Sequence, residues 1–555
     1  MLKLIFTLTY LIVSFGNISS SYAAYEKKIS IGVGEYLIAK VSHNQSDHKI
    51  TKQYYKKIYR KDPDNLVALD RLMLLNLLDG DLRKANEYAI KLANVGCGPS
   101  TNTCCMNNQS PQGYIINAIS FLNSYQFKYA DQTLGNIWRG DLADSSFVKL
   151  LRAWVWASPG SIAKSMEIID SITTNDFHSI TVFHKALMYD LLDEIELAEI
   201  FYDQSLLMKN DMHIINLYIN FLNRNNLIKK RNEVVKQYLE GFDKNFVDSI
   251  VRGNKRIINN AMQGMGVVFF DSYTLIDNLN DELTQAMLQL ASVTSPNFHE
   301  SNFILASYFG ENQNNSRAIK SLMKIPQNHY LNEISTMQIA QYHSTDTDFS
   351  KSIDFLKKKI KRKENYNNLL ALGNYYRYEK NWDKAIDIYA QAIDYEIKNN
   401  EKNLWEAYYK LGISYERNNN WNEAEKYFLK SLGLFENQPD VLNYLGYSYV
   451  DRNEKLDTAK EMIAKALSQK SNDPYILDSM AWYYYKVGLF EEALSLMEYA
   501  SLLDPSDPTI NEHYGDILWS VGREIEARFF WQKSIDMGPE ESSVEQIKRK
   551  ILIGI

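Results

Sequence analysis

Small residues recur at a nearly constant spacing through the C-terminal part of this 555-residue chain. Gly412, Gly446, Ala481 and Gly515 are separated by 34, 35 and 34 residues. Two helices approach closely only where the facing side chains are small, so each position predicts a crossing inside a helical hairpin. A single hairpin cannot cover its own apolar face, and a fixed period of this length therefore predicts stacked antiparallel helix pairs.

The same register continues upstream with less regularity. Ala306, Ala340 and Gly373 are 34 and 33 residues apart, and Ala39 and Met73 are again 34 apart. Pro (11) and Gly (24) are scarce for a chain of this length, which favours long helical stretches. These features predict an all-α fold in which most of the chain is a helical repeat array.

The regularity of the repeat spacing varies along the chain and divides it into segments. Between Phe242 and Asn302 the frame is lost, although helical periodicity remains. The predicted organisation is a signal peptide at 1–23, a degenerate helical array at 24–241, an irregular helical connector at 242–302, divergent repeat units at 303–360, a regular array at 361–540 and a capping helix at 541–555. An end repeat needs its open apolar face covered, which is the role expected of the last segment.

The repeat pattern resembles the tetratricopeptide-repeat family, whose period is 34 residues. The resemblance rests on units such as Leu411 and Gly412 followed by Tyr415, Ala424 and Phe428, and it holds over five successive units. It implies a right-handed superhelical solenoid of antiparallel helix pairs. It also implies that the first helix of each pair lines a concave groove, which binds other proteins or peptides.

A wider resemblance is to exported tetratricopeptide-repeat proteins of proteobacterial cell envelopes. It is carried by Gly34–Ala39, Asp62–Asn65, Asn443–Asp451 and Asp507–Asp516. It implies an exported scaffold in the periplasm or cell envelope of a Gram-negative bacterium. One related branch comprises outer-membrane lipoproteins that act as adaptors for a carboxy-terminal processing protease. The alternatives are therefore an adaptor for a periplasmic protease, or a structural subunit of an envelope secretion or polysaccharide-export machine.

Aromatic and polar residues occupy the groove positions that the family pattern implies. The predicted partner-binding groove comprises Asn374, Arg377, Tyr409, Asn443, Tyr447, Asp478, Trp482, Tyr485, Asp516 and Trp519. Rigid aromatic side chains are typical binding hot spots. The alternative is that the same rings pack against neighbouring helices.

Motifs for catalysis are missing from the sequence. There is no Gly-x-Ser-x-Gly, no His-Glu-x-x-His and no phosphate-binding glycine-rich loop. His178 and His184 have no carboxylate or Cys set beside them and are expected to be ordinary surface or semi-buried histidines. The stretch from Phe242 to Asn302 is small for a hidden catalytic domain. No enzyme and no cofactor are predicted, and the net charge of -7 gives no reason to expect nucleic acid.

All three cysteines lie in one predicted loop, as Cys97, Cys104 and Cys105. Export permits a disulfide between Cys97 and one of the other two, which would leave one thiol over. Free thiols are the alternative. A zinc site needs four ligands, and no His is near enough in sequence to complete the set, so no metal is predicted.

The N-terminus has the pattern of an export signal. Lys3 precedes an apolar run from Leu4 to Phe15, which is too short to span a bilayer stably. Ser21 and Ala23 place small residues at the two sites that a signal peptidase reads. No Cys follows the run, so a lipid anchor is not expected, and no transmembrane helix is predicted in the mature chain. An uncleaved N-terminal anchor is the alternative.

We therefore expect the mature chain to begin near Ala24 and to fractionate as a soluble or peripheral envelope protein, because the signal peptide is removed on export. N-terminal sequencing of the fractionated protein checks this. Recovery of Met1 from an inner-membrane fraction would favour the uncleaved anchor instead.

Overall fold

The computed structural model describes residues 33–44, 47–95, 110–137, 145–158, 160–275, 281–344, 348–399 and 404–555. Throughout these residues the regular secondary structure is helical, which confirms the all-α prediction. The chain divides into two compact units, of which unit 1 ends at Ser335 and unit 2 runs from Thr336 to Ile555. The predicted signal peptide at 1–23 lies outside the described residues.

Seventeen helices lie within the described part of unit 1. They are α1 (Val33–Asn44), α2 (His48–Lys61), α3 (Leu66–Leu78), α4 (Leu82–Asn94), α5 (Pro111–Asn123), α6 (Phe127–Gly135), α7 (Ser146–Val155), α8 (Ile162–Asp170), α9 (Asn175–Leu191), α10 (Ile195–Met208), α11 (Met212–Arg224), α12 (Ile228–Leu239), α13 (Lys244–Val251), α14 (Ala261–Leu275), α15 (Asp281–Thr294), α16 (His299–Glu311) and α17 (Asn315–Leu322). The first twelve pair as six successive hairpins, and α14 with α15 and α16 with α17 form two more.

Unit 2 continues the array in a more regular form. Its helices are α18 (Asn332–His343), which crosses the division, α19 (Ser350–Arg362), α20 (Tyr366–Tyr378), α21 (Trp382–Lys398), α22 (Trp405–Arg417), α23 (Trp421–Leu434), α24 (Pro439–Asp451), α25 (Leu456–Gln469), α26 (Pro474–Lys486), α27 (Phe490–Leu503), α28 (Pro508–Ser520), α29 (Glu524–Asp536) and α30 (Glu541–Ile553). Helices α20 to α29 form five hairpins, and α30 packs against α29 as the predicted last helix.

Local sequence explains where the helices of unit 2 begin and end. Helices α24, α26 and α28 begin with Pro, whose missing N–H is of no consequence in a first turn. Asp507 caps α28, its carboxylate accepting a hydrogen bond from the Ile510 N–H at 2.9 Å. A residue with positive φ stands in each of the five hairpin turns, namely Lys380, Asn419, Asn453, Gly488 and Gly522.

Small residues at the helix crossings make room for one large side chain from the second helix of the same hairpin. An added Cβ would lie 2.4 Å from Tyr389 at Gly373 and 2.4 Å from Trp531 at Gly515. The corresponding distances are 2.7 Å to Phe428 at Gly412 and 2.8 Å to Ile463 at Gly446. The repeat spacing in the sequence is thus the spacing of these contacts between a large side chain and the backbone of the facing helix.

The predicted connector at 242–302 contains a helical hairpin that folds back onto unit 1. Helix α14 packs against α5, α7 and α9, and α15 packs against α3, all of them first helices of earlier hairpins. We call α14–α15 the inner hairpin. Gly264 lies so close to Trp154 that an added Cβ would be 2.2 Å from the indole ring. Gly264 therefore permits the close packing, although glycine lowers the intrinsic stability of a helix.

A half-buried histidine pair lies near the end of unit 1. The rings of His299 and His329 are 5.0 Å apart, and His329 also packs on Tyr330 at 4.6 Å. The Nδ1 atom of His329 accepts a hydrogen bond from the Leu331 N–H at 3.3 Å, which requires a deprotonated nitrogen. Burial, together with the neighbouring His299, lowers the pKa of His329 to about 3.

Helix α30 covers the last hairpin of unit 2. Ile547 is fully buried in a cluster with Ile517 and Trp531. Among the helices of the described ranges, none combines the length and the apolarity that crossing a bilayer requires.

Substituting Gly515 by Ala should destabilise unit 2 by about 1–3 kcal/mol, because the methyl group would collide with the Trp531 ring. Gly433 is the matched control, since it is also helical and an added Cβ there meets nothing within 4 Å. Gly433→Ala should be neutral or stabilise by up to about 1 kcal/mol. Hydrogen exchange should show lost protection in α26–α30 for Gly515→Ala only; an equal loss throughout unit 1 would contradict an array of neighbouring contacts.

His329 should make unit 1 sensitive to mild acid. Its folded pKa of about 3 lies below its ordinary value of 6.5, so its contribution to stability is present above pH 6.5 and is lost as the pH falls toward 3. Replacing His329 by Phe should therefore reduce the loss of unfolding free energy between pH 7 and pH 5 by up to about 2 kcal/mol. Denaturant titrations at both pH values measure this, with His178→Phe at an exposed site as control. An unchanged pH dependence would exclude His329 as its source.

Candidate functional site

The ten predicted groove residues all lie on the first helices of the unit 2 hairpins, but they fall into two sets. One set, on α20, α22 and α24, consists of Asn374, Arg377, Tyr409, Asn443 and Tyr447. The other, on α26 and α28, consists of Asp478, Trp482, Tyr485, Asp516 and Trp519. The first set we call the open face, and the second the filled face.

Polar groups of the open face have few partners within the chain. Asn374 is oriented by Tyr389, whose hydroxyl donates to Asn374 Oδ1 at 2.7 Å. Neither Arg377 Nε nor Asn443 Oδ1 has a hydrogen-bond partner in the described residues. No carboxylate of the described chain forms an ion pair with the Arg377 guanidinium. A buried polar group left unpaired costs roughly 1–3 kcal/mol, so a change of rotamer that brought either side chain to a ligand would recover that cost.

The two tyrosines of the open face are half-buried. The Tyr409 ring packs against Phe428 at 6.1 Å and against Tyr444 at 6.0 Å. Tyr447 lies 6.2 Å from the ring of His513. Burial raises the pKa of both tyrosines above the ordinary value, so both hydroxyls are neutral donors and acceptors near pH 7. Each ring is thus partly core and partly surface, which combines the two alternatives that the sequence left open.

Trp482 of the filled face is enclosed by the chain itself. It is only 7% exposed, and it stacks on His513 at 3.9 Å and on Tyr485 at 4.7 Å. The His513 Nδ1 atom lies 2.8 Å from Asp478 Oδ1, and both of these side chains are buried. Burial alone would lower the pKa of His513, but Asp478 outweighs it and the pKa lies above its ordinary value.

Asp516 and Trp519 of the filled face contact α30 and the residue that follows it. Asp516 accepts hydrogen bonds from Trp531 Nε1 at 2.8 Å and from Lys550 Nζ at 2.7 Å. Trp519 packs against Gly554, where an added Cβ would lie 2.0 Å from the indole. Asp516 and Trp519 therefore hold the last helix in place, and the space next to the buried Asp516 is taken by the chain.

A buried polar network in unit 1 had no signal in the sequence. His184 Nε2 lies 3.1 Å from Asp271 Oδ2, and His213 Nε2 lies 3.2 Å from Asp271 Oδ1. Trp154 Nε1 donates to His184 Nδ1 at 2.9 Å, so that nitrogen is deprotonated and the proton of a neutral His184 is on the Nε2 facing Asp271. The expectation that His184 is a surface or semi-buried histidine is wrong, because it is fully buried.

The network holds the inner hairpin and is not placed for catalysis. Asp271 comes from α14, and the two histidines come from α9 and α11, so the contacts tie the hairpin to earlier repeats. Burial would raise the pKa of Asp271, but the two imidazoles outweigh it and lower the pKa to about 2. Asp271 is 4% exposed, which leaves no access for a substrate. Within the described ranges, no group of three or more His, Cys, Asp or Glu side chains is arranged to hold a metal ion.

The predicted disulfide lies beyond what the structure describes. Cys97, Cys104 and Cys105 all fall within residues 96–109, which lie outside the described residues. Their pairing stays a prediction.

Comparison with known proteins gives one family match and several similar proteins. The family model for the tetratricopeptide repeat matches residues 366–437, which span α20–α23. A TPR repeat-containing protein of Pseudomonas aeruginosa is 31% identical over 146 residues, which is 26% of this chain and 23% of that protein. Photosystem I assembly protein Ycf3 of Prochlorococcus marinus is 31% identical over 115 residues, which is 20% of this chain and 65% of that protein. The chain thus spans under a quarter of the first relative and under two thirds of the second.

Two solved structures resemble the chain with low TM-scores. A tetratricopeptide repeat protein from Parabacteroides merdae has a TM-score of 0.38 and 17% identity, covering 46% of this chain and 98% of its own. Yeast Tom70 has a TM-score of 0.34 and 14% identity, covering 94% of each chain. With the family match, the repeat spacing and the stacked helical hairpins together, residues 366–437 are a tetratricopeptide-repeat segment within a longer array of helical hairpins.

Proposed function

We propose that this protein is an exported scaffold of the cell envelope that binds a segment of another protein on the open face of unit 2. Tetratricopeptide-repeat proteins are generally non-catalytic scaffolds for protein–protein interaction. The observation that carries the proposal is the contrast between the two faces. On the filled face Asp478, Trp482 and Asp516 are buried, whereas all five residues of the open face are partly exposed.

The chemistry of the open face suits an extended peptide. Amide groups at Asn374 and Asn443 pair with the N–H and C=O groups of a peptide backbone. The Arg377 guanidinium suits a carboxylate of the partner. Tyr409 and Tyr447 add apolar contact area that is already ordered in the free protein, which lowers the entropic cost of binding.

Export is supported only by the signal-like N-terminus and by the resemblance to envelope proteins. An adaptor for a periplasmic protease and a subunit of a secretion or polysaccharide-export machine use the same open face with different partners. The identity of the protein bound in the envelope separates these alternatives.

Site-specific photo-crosslinking tests the proposed surface. A photoreactive phenylalanine analogue at position 409 or 447 should crosslink a partner in envelope extracts, because both rings lie on the open face. The same analogue at Tyr499, an exposed residue on the second helix α27, is the matched control and should not. Arg377→Ala and Asn443→Ala should each weaken binding of the captured partner by about 2 kcal/mol with little change in thermal stability.

Trp482→Ala separates binding from folding. Because Trp482 is enclosed by His513 and Tyr485, its truncation should cost roughly 3–5 kcal/mol of stability, as for a core ring. A Trp482→Ala protein with unchanged stability and lost binding would place the partner on the filled face. Crosslinking from Tyr499 but not from 409 or 447 would place it on the outer surface.

A further inference from the structure

A cleft of about 780 Å³ in unit 1 is lined mainly by cations. One wall is helix α2, and the other is made by Asp79 together with Asn314 and Arg317 at the start of α17. Lys49, Lys56 and Arg60 are among the six Lys and Arg side chains of the lining, against two carboxylates. This cleft is separate from the open face, which belongs to unit 2. We propose that it is a second binding surface, which takes an acidic segment of a partner polypeptide in extended conformation.

The carboxylates of the cleft are already engaged. Asp79 forms an ion pair with Lys52 at 2.6 Å, and Arg317 lies 3.9 Å from its other oxygen. Asp47 caps α2, its Oδ1 accepting a hydrogen bond from the Ile50 N–H at 3.0 Å. These contacts position the cleft walls and neutralise part of the charge that the chain itself supplies.

Three cations of the cleft have no such partner. Lys49, Lys56 and Arg60 are exposed, and none forms an ion pair within the described part of the chain. Together with Gln53 they are spaced 4, 3 and 4 residues apart, which places all four side chains on one stripe of α2. The chain as a whole has a net charge of -7, so this concentration of positive charge is local. Like charges held this close together repel each other, and an anionic partner removes that cost.

The length of the stripe distinguishes among anions. From Lys49 to Arg60 the helix rises about 16 Å at 1.5 Å per residue. A single phosphate group would meet only one or two of these cations, whereas an extended peptide of about five residues matches the whole stripe. The side-chain amides of Gln53 and Asn314, which face the same cleft, suit the backbone groups of such a peptide.

The remaining lining disfavours nucleic acid. Single-stranded nucleic acid is usually held by aromatic side chains on which the bases stack. The described lining of the cleft contains no Phe, Tyr or Trp. Lysine predominates over arginine, so most contacts are point charges without the paired N–H groups that select phosphate. An acidic polypeptide therefore fits the lining better than a polynucleotide or a polyphosphate.

Fluorescence anisotropy with a labelled deca-glutamate peptide tests the proposal on the full-length protein. The variant Lys49→Ala/Lys56→Ala/Arg60→Ala should bind the peptide at least tenfold more weakly than the parent. The matched control is Lys358→Ala/Lys361→Ala/Arg362→Ala, which removes the same charge from exposed positions on the basic helix α19. The control should change binding less than twofold, and circular dichroism should show both variants folded.

Competition with other polyanions completes the test. Unlabelled deca-glutamate should displace the probe at lower concentration than tripolyphosphate or a ten-nucleotide thymidine DNA. Equal loss of binding in the two triple variants would show a general charge effect and overturn the proposal. Stronger competition by the DNA or by tripolyphosphate would overturn the choice of partner. Arg377→Ala leaves this cleft intact and should not alter binding of the probe. The proposals for the open face and for the cleft can therefore be tested independently.

Discussion

The fit of one large side chain against one missing Cβ is the interaction on which unit 2 depends. Four of the five hairpins use a different occupant for this space, namely Tyr389, Phe428, Ile463 and Trp531, and each stands opposite a glycine. The spacing of the backbone crossings is therefore conserved along the array even though the core side chains vary. Only the small member of each pair is constrained in type, which is why small residues give the clearest periodic signal in the sequence.

That constraint also explains what the sequence could and could not predict. Contacts inside a hairpin recur at fixed offsets, so the helix pairs and the register of the groove residues were predictable. Contacts between hairpins follow no fixed offset. Trp482 is enclosed by His513 and Asp516 is bonded by Lys550, and these partners come from a later hairpin and from the last helix. Asp271 is far from His184 in sequence, and no local pattern links them.

The inner face of the helical array is covered differently in the two units. In unit 1 the inner hairpin occupies it, and its buried carboxylate is balanced by two imidazoles. In unit 2 part of the face is covered by α30 and the rest stays partly exposed. Burial lowers the pKa of both His329 and His513, but their neighbours act in opposite directions. The imidazole of His299 lowers the pKa of His329 further, whereas Asp478 holds the proton on His513.

The inner hairpin has a consequence for how the chain is made. In a simple array each repeat contacts only its neighbours, so folding can begin anywhere and spread. Residues 261–294 instead contact α3, α5, α7 and α9, whose sequences are completed much earlier during synthesis. The inner surfaces of those helices stay uncovered until residues 261–294 have emerged from the ribosome. Contacts between residues so far apart in sequence also form slowly. We therefore expect the first helices of unit 1 to expose apolar surface for longer during synthesis than those of unit 2, whose hairpins can complete one after another.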